Sequence, residues 1–102
     1  MNRGEIWWVE IPGSGRRPAC ILTRQPAIPL LTSLTVAPAT RTVRGAPSEL
    51  LLDEQDGLPA PCALNFDNIA TVPKALFATR ITRLSGRRLA EVCGALRRAT
   101  GC

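Results

Sequence analysis

The chain opens on a stretch in which apolar and polar positions nearly alternate. In "GEIWWVEI", Ile6, Trp8 and Ile11 are apolar and are interrupted by Glu5, Trp7 and Glu10, with Val9 between. Alternation places successive side chains on opposite faces of a pleated strand, so residues 4–11 are expected to form a half-buried strand. "RPACILT" is a second such run, and the few residues between them, with glycines at 13 and 15, suit a hairpin connection. "QPAIPLLTS" carries two prolines and cannot be a central strand.

Further on, "LTVAPAT" (34–40) is β-branched at its start, and Pro38 points to a strand edge or a bulge just before Thr40. "SELLL" (48–52) follows a polar turn and is expected to pair with it as a hairpin. "DEQDGLPAP" is loop by composition, "CALNFDNIATV" holds a short strand or two, and "KALFATRITRL" reads as a helical turn followed by a strand over roughly 78–83. The period then changes. Leu89, Val92, Cys93 and Leu96 fall at i, i+3, i+4 and i+7, Ser85 is placed to cap, and Gly101 stands just past the last turn. One terminal helix over 86–99 is expected, docked on the sheet with Arg87, Arg88, Arg97 and Arg98 facing water. Together these elements make a mainly β fold, a small curled sheet or barrel with a C-terminal α-helix.

A chain of 102 residues suits one domain, 1–102, whose modest core gains from burial against a second copy, so a homodimer is expected. No apolar run reaches the roughly 18 residues of a membrane span, and the start lacks a charged segment followed by an apolar core. A cytoplasmic chain with no membrane partner follows. Cys20, Cys62, Cys93 and Cys102 are scattered, with no C-x-x-C pair and no histidine to complete a zinc set. Reduced thiols, most of them buried, and no metal site are the expectation.

Charge adds a second layer. The net charge is +5 from 13 basic and 8 acidic residues, and every basic residue but Lys74 is arginine, whose planar fork suits phosphate and base edges. No basic residue lies between Arg44 and Lys74, where five of the eight acids fall; the arginines gather at 16–24, 41–44 and 80–88. If the loops at 13–17 and 41–47 converge, they make a positive patch.

Histidine and tyrosine are absent, which removes the commonest acid–base side chains and excludes Ser-His-Asp and Cys-His sites. "GSGRRP" lacks the spacing of a phosphate-binding Walker loop. Asp53, Glu54 and Asp56 cluster in a Pro/Gly-flanked loop and read as plain solvation. Trp7 and Trp8 read as packing in the core or a dimer seam. What remains is arginine with Thr, Ser and Asn nearby. That set suits phosphoryl transfer from an internal RNA hydroxyl: the substrate carries its own 2′-OH nucleophile, and the protein orients it and stabilises charge on the phosphorus oxygens. Pro18 holds Arg17 extended where loop becomes strand.

In order along the chain, "RGEIWWVEIP", "GRRPACILT", "LTVAPATRTVRGAPSEL", "DGL", "NFDNIATV" and "RITRLS" resemble the MazF/PemK family of toxin endoribonucleases, the mRNA interferases of bacterial toxin–antitoxin systems. The resemblance implies an SH3-like barrel, a homodimer, cofactor-free and metal-independent cleavage of single-stranded RNA, and neutralisation by a cognate MazE-like antitoxin with an acidic tail. Carried over by position, it makes Arg17 and Thr40 catalytic. Arg16, Arg41, Thr42 and Arg44 fall in the two basic loops as RNA contacts, and Asp67 and Asn68 in "DNI" lie where the family reads bases. Asn68 replaces a commoner glutamine, so the sequence preference of relatives does not transfer, and mRNA, rRNA and tRNA all stay open as targets. Two alternatives stand beside it: a gyrase-poisoning toxin of the CcdB type, whose C-terminal Trp-Gly-Ile tail this chain lacks, and a non-catalytic RNA-binding module, which differs from the enzyme only by turnover.

Overall fold

The computed structural model describes residues 1–102, which form seven strands, four short 3-10 turns and one helix. β1 (Glu5–Ile11) and β2 (Gly15–Ile21) make the expected hairpin, with Ile6 opposite Cys20 and Ile11 opposite Gly15. β2 starts before its apolar run does, because the ladder to β1 continues to the hairpin tip; Arg16 and Arg17 therefore stand in the strand, opposite Glu10 and Val9.

β3 (Ser33–Thr40) runs along β2, and its other edge serves two partners in turn. Ser33–Val36 pair with β6 (Ala70–Pro73), and Ala39–Thr40 pair with β5 (Cys62–Asn65). Pro38 falls where that edge changes partner, while its register with Ala19 on β2 is unbroken. A switch of partner thus stands in place of the expected edge or bulge. β4 (Glu49–Leu52) pairs with β5, Leu50 opposite Leu64, and not with β3 as its position in the sequence suggests. The connection after Thr40 carries the chain past β5, which lies between them.

β7 (Phe77–Arg83) takes the outer edge of β1, giving the antiparallel order β4-β5-β3-β2-β1-β7 with β6 on β3. The expected mainly β architecture with a C-terminal helix is what forms, although no hydrogen bonds join β4 to β7. Packing fills that gap. A 3-10 turn over Glu54–Asp56 is capped at its start by Asp53, whose side chain accepts from Gln55 N, and Gly57 at its end lies against Thr82 of β7.

Parts of β1, β2 and β3 are buried on both faces, which is why the alternation in β1 is imperfect. Cys20 joins a cluster with Ile6, Leu64, Phe66 and, from α1 (Gly86–Thr100), Val92; its neighbour Ile21 joins a second cluster with Val9, Leu34, Val36 and Phe77. Glu5 is the one buried charged residue, only 2% exposed. Its carboxylate accepts from Trp7 Nε1 at 2.9 Å and from Asn2 N and Nδ2 at 3.0 and 3.1 Å, with Arg80 at 3.4 Å. Burial alone would push this carboxyl up, but the hydrogen bonds from Trp7, Asn2 and Arg80 outweigh it and hold the pKa at about 2.

α1 begins as the sequence indicates, Ser85 Oγ accepting from Arg88 N at 3.2 Å. Arg88, however, turns inward. It bonds both Asp56 carboxylate oxygens at 3.0 and 3.1 Å, Glu91 at 3.1 Å and the Leu51 carbonyl, tying the helix to the β4 edge. Asp56 is therefore an anchor and not a solvating charge; burial alone would raise its carboxyl, but the hydrogen bonds from Arg88 and from the Asp53 backbone outweigh that and hold it below the ordinary carboxylate range. All four cysteines are unpaired; Cys20 and Cys62 are buried, and burial pushes the Cys20 thiol up to about 12. No helix is long and apolar enough to cross a membrane.

Candidate functional site

Two loops meet at one end of the sheet. The β1–β2 hairpin carries Arg16 and Arg17 at the base of its tip, and the chain leaves β3 at Thr40 directly into Arg41, Thr42 and Arg44. Because β2 and β3 are ladder neighbours, the two basic segments are adjacent by construction. Arg17 is fixed twice: Nε donates to the Ser14 carbonyl at 3.0 Å, and Nη1 donates to the Ala39 carbonyl at 3.4 Å. Both tethers draw the guanidinium across the tip of β2 to the end of β3. There Thr40 Oγ1 accepts from Thr42 N at 3.1 Å, turning the loop sharply as the strand ends.

Arg17 and Thr40 stand on a ridge shared by two open concavities, of about 520 and 690 Å³, each within the size range of small-ligand sites. Arg16 and Arg41 line the first, Arg44, Asp67 and Asn68 the second, and Thr42 both. All eight residues singled out from the sequence thus come together at one face.

The electrostatics of this face are one-sided. The ion pairs of the fold are Arg80–Glu5, Arg88–Asp56 and Arg88–Glu91, and none involves Arg16, Arg17, Arg41 or Arg44. Of the acids nearby, Glu10 stands opposite Arg16 across the hairpin without forming an ion pair, and two others are turned to other work. Asp67 Oδ2 accepts from Ser48 Oγ at 2.6 Å, and Glu49 Oε1 accepts from backbone N–H groups of the 41–47 loop. Four uncompensated guanidinium groups around a concave surface form an anion-binding site, and their fixed positive charge is available at any ordinary pH. No group of three or more His, Cys, Asp or Glu side chains is placed to hold a metal.

Several lining residues are not apparent from the sequence. Trp8, which reads as packing, lines the first concavity with the Arg16 guanidinium 5.5 Å from its ring centroid; Trp7 alone packs, edge-on to Phe77 at 6.3 Å. Strand parity could have separated them, since residues 7 and 8 face opposite sides of β1. The "LPAP" segment, read as loop, together with Cys62 at the start of β5, supplies an apolar wall from Leu58 to Cys62. Asn65, buried at the end of β5, accepts from Asp67 N at 2.9 Å and lines the second concavity.

Residues 2–100 match the family described as PemK-like, MazF-like toxin of type II toxin-antitoxin system. The chain is 48% identical to the probable endoribonuclease MazF2 of Mycobacterium tuberculosis over 103 aligned positions, covering 100% of both chains. Its structure is similar to the Mycobacterium tuberculosis toxin MazF-mt6, with a TM-score of 0.88 at 33% identity over 95% of this chain and 96% of that one. It is also similar to a MazE-MazF structure from Deinococcus radiodurans, with a TM-score of 0.79 at 25% identity over 99% and 95%. The match over residues 2–100, with 48% identity along the whole chain and the shared fold, places this chain in the PemK-like, MazF-like toxin family of type II toxin–antitoxin systems.

Proposed function

We propose that this chain is a toxin endoribonuclease that cuts single-stranded RNA at short sequences and so blocks translation, until a cognate MazE-like antitoxin occupies the same groove. The observation that carries the reading is the shared ridge: Arg17, free of any ion pair, and Thr40 stand between two concavities that would receive the nucleotides on either side of one phosphate. The family match and the endoribonuclease named among the relatives support it.

In this mechanism the 2′-oxygen of the substrate forms a bond to its own phosphorus while the bond from phosphorus to the 5′-oxygen breaks. The 2′ proton leaves to solvent and the 5′-oxygen takes one up, giving a 2′,3′-cyclic phosphate and a 5′-hydroxyl. Arg17 neutralises the charge that gathers on the non-bridging oxygens. Thr40 orients the phosphate from the other side of the ridge. Arg16, Arg41, Thr42 and Arg44 hold the strand through its backbone, and Asp67 and Asn68 meet base edges. Chain 1–102 acts as one unit and pairs as a homodimer, for which Leu30, 82% exposed, and Leu31 offer apolar surface.

The test is turnover. Purified protein incubated with single-stranded RNA is expected to release fragments with 5′-hydroxyl ends, and addition of the cognate antitoxin is expected to stop it. Binding of RNA without cleavage would reduce the protein to a binding module.

A further inference from the structure

The second concavity has two rims on different segments. Arg44 belongs to the loop after β3, Asp67 and Asn68 to the 3-10 turn between β5 and β6, and no hydrogen bond joins the two rims directly; they are linked through one strand pair and through Ser48 beside it. That pair is Glu49 on β4 and Asn65 on β5, directly opposite each other in the ladder. Glu49 Oε1 accepts from two successive backbone donors, Arg44 N at 3.1 Å and Gly45 N at 3.0 Å. Gly45 has φ +74°, the left-handed conformation that lets two consecutive N–H groups converge on one oxygen. Asn65 Oδ1 reaches the other way, accepting from Asp67 N at 2.9 Å, and Ser48 adds a second link by accepting Phe66 N at its carbonyl (3.1 Å) and donating from Oγ to Asp67.

The placement of Glu49 needs a reason. A carboxylate beside phosphate-binding arginines weakens RNA binding by like-charge repulsion unless it does something else. It forms no ion pair. Its oxygen is spent on the loop backbone, where two charge-assisted hydrogen bonds hold more firmly than two neutral ones. Across the loop Arg98 Nε donates to the Pro47 carbonyl at 2.6 Å, so the segment is pinned from the helix side as well.

We infer that Glu49 and Asn65 are positioning residues: one cross-strand pair fixes both rims of the second concavity, and so sets the gap that an RNA strand must enter between Arg44 and Asp67–Asn68. This rests on the endoribonuclease reading above. Neither residue touches the reacting atoms. Loss of the Glu49 tether leaves Arg17 and Thr40 in place on β2 and β3 but lets the Arg44 rim move, so substrate capture suffers more than the chemical step.

The test compares wild type, Glu49→Ala and Glu49→Gln on a fluorogenic single-stranded RNA, with melting temperatures alongside. Glu49→Ala is expected to raise KM about tenfold while kcat falls less than threefold, and Glu49→Gln, whose amide oxygen can still accept both N–H groups, is expected to recover at least half of the loss. In the wild-type protein, hydrogen exchange at the Arg44 and Gly45 amides is expected to be slowed relative to Arg41, whose amide lies outside this tether. Unchanged or lowered KM in Glu49→Ala, or Arg44 and Gly45 amides that exchange as freely as an open loop, would overturn the inference. The exchange measurement stands even if a variant does not fold. A wild type that binds RNA and never cuts it would instead overturn the endoribonuclease reading, whatever the variants do.

Discussion

Arg17 and Ala39 are joined by a hydrogen bond from the guanidinium Nη1 to the carbonyl oxygen, 3.4 Å long, and this contact brings the charge to the end of β3 beside Thr40. The second tether, from Nε to the Ser14 carbonyl, leaves the rest of the fork free to face a phosphate. Removing a preorganised donor of this kind costs about 10²- to 10³-fold in rate. Arg17→Ala is therefore expected to lose activity on that scale with no change in melting temperature, since the side chain supports no core contact. Arg17→Lys is expected to regain little, because an ammonium cannot hold both carbonyls and still present a fork. Single-turnover cleavage and a thermal melt check both points.

Thr40 acts through its hydroxyl, which also receives Thr42 N. Thr40→Val keeps the shape and removes that oxygen; kcat is expected to fall between about 10- and 100-fold, the scale of a misplaced substrate. Thr40→Ser is expected to stay close to wild type. A loss in Thr40→Ser with Thr40→Val close to wild type would show that the methyl group, and not the hydroxyl, matters.

The four unpaired arginines should be visible in the salt dependence of RNA binding. Each phosphate contact contributes about 0.7 to the slope of log affinity against log salt for a single strand. Arg41→Ala and Arg44→Ala are each expected to lower the slope by about that amount, measured by anisotropy with a 2′-O-methyl oligonucleotide that cannot be cut.

Much of this site is legible in the sequence because it rests on local signals. Arg17 precedes a proline, Thr40 ends a β-branched run, and the clustering of arginine on either side marks both loops. What is not legible depends on partners distant along the chain. Trp8 looks like core until strand parity is combined with the open wall from Leu58 to Cys62. Arg88 looks solvated until the 3-10 turn brings Asp56, 32 positions earlier, beside it. Glu49 looks like a surface acid, and the pairing of β4 with β5 instead of β3 is what sets it opposite Asn65. Short strands specify their own existence through pattern, but which edge they join is decided by where the connecting loops can reach.

Gly57 is required twice over at the packed seam between β4 and β7. Its φ is +95°, and a Cβ there would lie 2.5 Å from Thr82 Oγ1 and 2.8 Å from Thr82 Cβ. Gly57→Ala is expected to destabilise the fold by roughly 2–4 kcal/mol in denaturant unfolding, combining backbone strain with overpacking. Adding Thr82→Ala removes the 2.5 Å contact with Oγ1 but keeps the Cβ at 2.8 Å, so it is expected to recover only part of the overpacking and to leave the strain.

Glu5 makes stability depend on pH in a defined direction. Its pKa is lowered from 4.5 to about 2 in the fold, so the carboxylate contributes stability above its unfolded pKa and loses it as pH falls through the folded one. The full contribution is on the order of 3 kcal/mol. Wild type is expected to exceed Glu5→Gln in unfolding free energy near neutral pH, with the difference closing between about pH 5 and pH 2. A difference that stays constant across that window would remove Glu5 as its source.

In this mechanism the substrate supplies its own nucleophile, and the arginine–threonine ridge only orients and neutralises. A single 2′-deoxy substitution at the nucleotide 5′ to the cut, in an otherwise unchanged RNA, tests this directly. Cleavage is expected to cease while binding to the groove persists; continued cutting of that oligonucleotide at the same bond would contradict the mechanism.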